Sequence, residues 1–383
     1  MPPAPPSSKT KKLKVAAVSP PSSVAWTWSD VKNARPAQRF LASDISAPPL
    51  VHPFVASVHD WSGADQPCLI PSTVEPDLSF LPGRIIQKAD FDNGAFHAEV
   101  RVGHVLRRGL ADVWFDSGSK VCLKIVPLVQ LSSRSGSGGG SEDTMQELEM
   151  MRFLHRDGDA ESRSVVRCLE AVKTPEDLVM VLQFFEGGDL LDRLQAEQHH
   201  RFSERDACHG FCSILRALVF LQKKDVFLRD LSIENIMVHD GHAVIIDLGM
   251  AVRVPRHPGT GRRELVASLK RCGKDPCMAP EVWDGAPAID GLKIDVWAAA
   301  TVLFTMLIGD RPFTKPDRTD KWFAMVSDGK FKEMLATRGV LSLEAADLLE
   351  RMLVIDPAKR LTSVEDIVAS DFVRKHGGHL QFQ

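Results

Sequence analysis

The chain of 383 residues has no tyrosine and only three asparagines, Asn33, Asn93 and Asn235. The missing tyrosine excludes regulation by phosphorylation of the chain's own tyrosines, and the two scarcities together read as compositional bias. None of the seven cysteines stands in the C-x-x-C spacing of a zinc knuckle or a thioredoxin-type site. Cys208 and Cys212 are one helical turn apart but lack a second ligand pair, so free thiols in a reducing cytosol are expected. An excess of charge is absent too. A net charge of −3 gives no basic footprint for nucleic acid or an anionic membrane, and neither is expected as a partner. Long apolar runs are also wanting. The best candidate, residues 296–308, is too short to span a bilayer and is interrupted by Thr301 and Thr305. The opening MPPAPPSSKTKKLK has no apolar h-region, so no secretory signal is expected. A cytoplasmic location follows, with a nuclear one left open by the short basic run.

What is present is the mix of an ordinary globular protein, 44% hydrophobic and 25% charged, with length enough for a sizeable core. Of the 24 prolines, 14 lie within the first 82 residues. Proline removes a backbone donor and breaks helices and central strands, so residues 1–95 are expected to be largely irregular. Trp26, Trp28, Phe54 and Trp61 are unusual in such a segment and suit packing onto the rest of the chain or onto a partner. Residues 113–115 and 121–126 read as short strands joined by a turn at Asp116-Ser117-Gly118. The Gly/Ser run 132–141 reads as a flexible loop, 146–154 as a helix, and 165–172 and 178–184 as strands. Helices dominate after Gly187-Gly188. Ser203 caps one, and others are expected over 293–308, 321–327, 343–353 and 364–369. A small β-rich part followed by a large helical part predicts an α+β fold in two lobes, 96–186 and 187–375, with a short tail 376–383.

Four segments occur in a telling order. They are V-C-L-K ending at Lys124, L-R-D-L-S-I-E-N at 228–235, I-I-D-L-G around Asp247, and M-A-P-E at 278–281. D-V-W at 295–297, G-D-R-P-F at 309–313 and D-P-A-K-R-L-T at 356–362 follow. The ordered set resembles the eukaryotic protein-kinase family over roughly residues 98–375. The D-L-x-x-E-N form, with Glu234, resembles the Ser/Thr type, and the end of the large lobe looks like the calcium/calmodulin-dependent group.

The resemblance implies a bilobal kinase fold that binds ATP and Mg²⁺ and acts on a protein substrate. Phosphoryl transfer needs charge neutralised around the phosphates and a hydroxyl aimed in line. Lys124 would hold the α- and β-phosphates, itself held by Glu147 or, on another face of the helix, Glu149. Asp230 would orient the acceptor hydroxyl and take its proton. Asn235 and Asp247 supply oxygen donors suited to Mg²⁺. Leu182 matches the gatekeeper, Gln183 and Phe185 the backbone groups that read adenine, and Asp189 an acidic position near ribose and substrate. Glu281 would pair with Arg360, and Asp295 would accept backbone hydrogen bonds from the catalytic loop.

There are departures from the family. Its G-x-G-x-x-G-x-V loop, taken to end at Val113, would put Leu106, Arg108 and Ala111 at the glycine positions, where backbone N–H groups approach phosphate. The loop histidine is Leu228, a packing replacement. The lysine two residues past the catalytic Asp is Ser232, while the threonine before A-P-E is Lys274. These two side chains meet in the family, so a swap is expected in which Lys274 supplies the ammonium and Ser232 the hydroxyl. Where the family often carries tyrosine this chain has Phe184, Phe220 and Cys277, the last leaving a thiol beside the substrate-binding segment. Arg229 suggests reading of an activation-loop phosphate, with Ser268 and Thr260 as candidates and Glu264 as a mimic. A non-catalytic scaffold is the competing reading, favoured by the eroded loop and Ser232. A small-molecule kinase is disfavoured by the A-P-E segment.

Overall fold

The computed structural model describes residues 69–90, 97–108, 114–128, 144–267, 271–339 and 341–377. The Gly/Ser run and the aromatic residues before position 69 lie outside them. The first part of the chain builds one sheet from β1 (Ile70–Pro71), β2 (Leu78–Asp90), β3 (His97–Arg108), β4 (Trp114–Pro127), β5 (Cys168–Lys173) and β6 (Asp177–Gln183). The strand order is β1-β2-β3-β4-β6-β5. Strand side chains alternate between faces. Val121, Leu123 and Ile125 of β4 therefore share one face with Val179 and Val181 of β6, and with Ile70, Phe80 and Val105 they form a small apolar core. Lys124 falls between these positions. Helix α1 (Thr144–His155) packs Leu148, Met150, Met151 and Leu154 into the main core.

Two expectations change here. The sheet begins well before residue 96, inside the proline-rich segment. The prolines sit where a sheet tolerates them: Pro71 ends a two-residue edge strand, and Pro82 stands at a register shift of β2. The turn expected at 116–118 is a bulge within a single strand, because Asp116 faces Leu106 while Lys120 faces His104. Gly118 takes φ +74° there, and the Ser117 hydroxyl donates to the Val105 carbonyl at 2.7 Å. The loop after β1 also reaches β5. The Ser72 hydroxyl donates to Glu170 at 2.8 Å, and the Thr73 amide and hydroxyl donate to the other oxygen of the same buried carboxylate. Strands at opposite ends of the sheet order are thereby tied together.

The larger part is helical. It runs through α2 (Leu190–Ala196), α3 (Glu204–Lys223), β7 (Val226–Phe227), β8 (Ile236–His239), β9 (His242–Ile245), β10 (Val252–Arg253), β11 (Val266–Ala267), α4 (Pro280–Trp283), β12 (Ala288–Ile289) and α5 (Gly291–Ile308). It ends with α6 (Lys321–Ser327), α7 (Phe331–Arg338), α8 (Leu343–Met352), α9 (Val364–Val368) and α10 (Asp371–His376). Ser203 caps α3 as its sequence suggests, accepting the Asp206 amide at 3.2 Å. Helix α5 starts earlier than expected, at Gly291, and is then long and apolar enough to cross a membrane. It is 83% buried inside the protein, packed against α3, and is apolar on every side as a core helix is.

Candidate active site

The β-rich lobe contributes a held cation. Lys124 lies in β4 between Val100 of β3 and Met180 of β6. Its ammonium is 2.7 Å from Glu147 of α1, whose side chain is 3% exposed. Glu149 turns instead to Arg152 at 3.4 Å, so geometry settles which carboxylate faces Lys124. Beside Glu147, the Gln146 amide donates to the Ala251 carbonyl at 2.7 Å and joins α1 to the segment following Asp247.

Strand register corrects the place of the phosphate-covering loop. Val113 lies outside the described residues, but the strand positions flanking that segment, Arg108 and Trp114, face each other. Lys124 is ten residues farther along β4, about 30 Å at strand rise. Leu106 and Arg108 share that remote end. The opposite turn, residues 91–96, follows the pair Asp90–His97, three residues from Val100. Val100, not Val113, stands directly across from Lys124. The connection on the Lys124 side of the sheet is therefore the one between β2 and β3, residues 91–96, whose sequence carries Asn93-Gly94-Ala95 and which lies outside the described residues.

The strand β6 leads to the hinge. The Gln183 amide donates to the Arg167 carbonyl at 3.1 Å and is engaged within the lobe. The Phe185 ring is buried and meets His239 edge-on at 5.4 Å. Phe184 lies under the Lys120 ammonium at 5.9 Å. Asp189 caps α2, accepting the Asp192 amide at 2.7 Å. Burial, then the charge of Asp192 among other causes, holds its carboxyl above the usual range.

The helical lobe contributes the catalytic loop. Asp295 of α5 accepts the Leu228 amide at 2.7 Å and the Arg229 amide at 3.1 Å. Burial pushes its carboxyl up to about 7, against the pull of those two donors. Leu228 is buried, in keeping with a packing role. Asp230 accepts the Lys274 amide on one oxygen at 3.0 Å and the Asn235 side-chain amide on the other at 3.3 Å. Burial, followed by the charge of Asp247, raises its carboxyl to about 6. Asn235 also donates to the Asp230 carbonyl at 3.0 Å, which spends its amide nitrogen and leaves its oxygen for a cation. Asp247 accepts the Gly249 amide on one oxygen at 2.9 Å. Asn235 and Asp247 thus offer the hard oxygen donors that Mg²⁺ takes.

Ser232 and Lys274 do meet. The Lys274 ammonium lies 2.7 Å from the Ser232 hydroxyl and 3.2 Å from Glu234. Burial opposes ionisation of Glu234, but its backbone amide and Lys274 outweigh that and hold its carboxyl below the usual range. Gly273, just before Lys274, permits the approach. At φ +85°, a Cβ there would lie 2.6 Å from the Arg229 carbonyl. Farther out, Arg360 grips Glu281 through two bonds of 2.8 Å. Burial pushes the Cys277 thiol up to about 11, so no ready thiolate stands there.

One cluster gave no sequence signal. Asp225, just before β7, binds Arg256 at 2.7 Å and Arg263 at 2.8 Å, and its carbonyl takes the Val254 amide at 2.6 Å. It pins residues 254–264 of the activation segment. Thr260 is exposed at the tip of that hairpin, and Ser268 lies outside the described residues.

Residues 113–373 match the protein kinase domain family, and the chain belongs to it. It is 30% identical over 255 residues to the serine/threonine-protein kinase cds1 of Schizosaccharomyces pombe, covering 65% of this chain and 52% of that protein. The sucrose non-fermenting protein kinase 1 of Fusarium virguliforme is 30% identical over 254 residues, 66% of this chain and 32% of that one. Human serine/threonine-protein kinase DCLK3 is 31% identical over 206 residues, 52% and 30% of the two chains. The chain thus spans about half or less of the length of these relatives.

Proposed function

We propose that the chain is a serine/threonine protein kinase, moving the γ-phosphate of ATP to hydroxyls of protein substrates. The observation that carries this reading is the surrounding of Asp230, where Lys274, Asn235 and the charge of Asp247 converge on one half-buried carboxylate. A substrate hydroxyl donating to Asp230 is oriented for attack, and its proton passes to a carboxylate raised toward neutrality. Lys124, fixed by Glu147, neutralises phosphate charge from one side, and Lys274 does so from the other. Asn235 and Asp247 would hold Mg²⁺, which when bound screens the phosphate oxygens. The names of the relatives and the Glu234 position support serine and threonine as acceptors. Against the scaffold reading stands the Lys274 ammonium, 2.7 Å from the Ser232 hydroxyl, which returns a cation to the place of the missing loop lysine. A cytoplasmic setting belongs to the same proposal and is supported by the unpaired thiols of Cys122, Cys168, Cys208, Cys212, Cys272 and Cys277. The test is transfer of label from γ-labelled ATP to dephosphorylated casein, with Asp230→Asn beside the parent chain. The parent should label casein at least about a hundredfold faster, and equal labelling would end the proposal.

A further inference from the structure

A groove of about 540 Å³ opens beside the catalytic loop, between α2 and the segment that follows α5. Leu191 and Leu194 form one wall, Ile233 and Glu234 another, and Asp310 and Arg311 the third. Glu234 is the residue before Asn235, in the same loop as Asp230, so the groove adjoins the place where the acceptor hydroxyl must sit. An extended peptide advances about 3.3 Å per residue, which brings a side chain two or three positions from the acceptor within reach.

A lone glutamate at this point would select a basic side chain. Glu234 is not alone, because Lys274 lies 3.2 Å from one of its oxygens and Arg311 3.6 Å from the other. The second acid of the groove, Asp310, is bonded to Arg338. Both carboxylates are matched by the chain's own cations. An incoming arginine would have to displace them or lie against them, while the buried Leu194 and Ile233 at the base suit an apolar group.

We propose that this groove receives an uncharged, apolar side chain flanking the acceptor hydroxyl, and that Arg311 excludes basic residues from it. The inference rests on the kinase reading above and names its substrate class. Serine peptides that differ only in carrying leucine or arginine two and three residues to either side of the acceptor test it, with kcat/KM as the measurement. The parent chain should prefer the leucine peptide by about tenfold, a difference of about 1.4 kcal/mol. Arg311→Glu should lower that ratio by about tenfold or invert it. Arg318→Glu makes the same change of charge at a residue bonded to Asp328, outside the groove lining, and should leave the ratio in place. A parent preference for arginine overturns the proposal. So does an unchanged ratio in Arg311→Glu, or an equal change in Arg318→Glu. If casein is labelled and neither peptide is, the groove does not read flanking side chains and the proposal is again overturned. If casein is not labelled either, it is the kinase reading that has failed.

Discussion

Two lysine ammonium groups bracket the candidate site, and they are held in opposite ways. Lys124 is 16% exposed, sits in the middle of a sheet strand, and faces one buried carboxylate. Lys274 is 39% exposed, sits on the activation segment, and divides itself between Ser232 and Glu234 of another loop. The first is placed by packing of β4 against α1. The second is placed only while the segment lies on the catalytic loop, which the Lys274 amide on Asp230 and the grip of Asp225 on Arg256 and Arg263 both favour. One cation therefore comes with folding of the lobe, and the other comes with docking of a segment.

The largest expected effect breaks the packed side. Lys124→Ala leaves the buried Glu147 without that cation, so a loss of about 3 kcal/mol in stability is expected alongside a fall of at least about a hundredfold in kcat/KM. Thermal melts with turnover assays check both, and an unchanged Tm would show that packing does not place this charge. Next in size, Lys274→Ala should lower kcat about tenfold to a hundredfold while moving Tm no more than Lys359→Ala at an exposed surface position. Adding Ser232→Lys to that variant returns an ammonium from the other loop and should recover part of the rate. No recovery, together with a rate loss matched by Lys359→Ala, would remove Lys274 from the chemistry.

The smallest effect sharpens the comparison through pH. Asp230 must be a carboxylate to take the proton, so kcat/KM should fall with a one-proton slope as pH drops through about 6. Stability runs the opposite way. Asp230 and Asp295 have folded values of about 6 and 7 against an ordinary 3.8, so the folded state binds their protons more tightly. Their stabilising contribution is present in acid and is lost as pH rises from the ordinary carboxylate range through 6 to 7. Denaturant titrations across that window measure it, and a flat profile would show that burial of these carboxyls is less complete than their surroundings indicate.

The helical lobe was more legible in the sequence than the sheet. Helix α6 runs over the 321–327 read from its pattern, and α3 starts after the Ser203 cap, because periodicity and capping are local properties. The meeting of Ser232 and Lys274 was also readable, since both lie in segments anchored by motifs. The sheet was harder. A twelve-residue β3 and a bulged β4 have no local marker of length, so the sequence does not show which connection lies on the Lys124 side. The choice between Glu147 and Glu149 needed the helix orientation. The Asp225 cluster was illegible because its arginines stand 31 and 38 residues away.

The family match begins at residue 113, one position before β4. A chain begun there would lack Ile70, Leu78, Phe80 and Val105 from the small apolar core and would lose the strand that pairs with β4. Strand β4 would become a long bare edge, the kind that pairs with its own copies and aggregates. A chain begun at residue 69 keeps the loop that Glu170 fastens across the sheet. The matched stretch is thus shorter than the sheet it belongs to, and the part before it is what keeps the strand bearing Lys124 from becoming an adhesive surface.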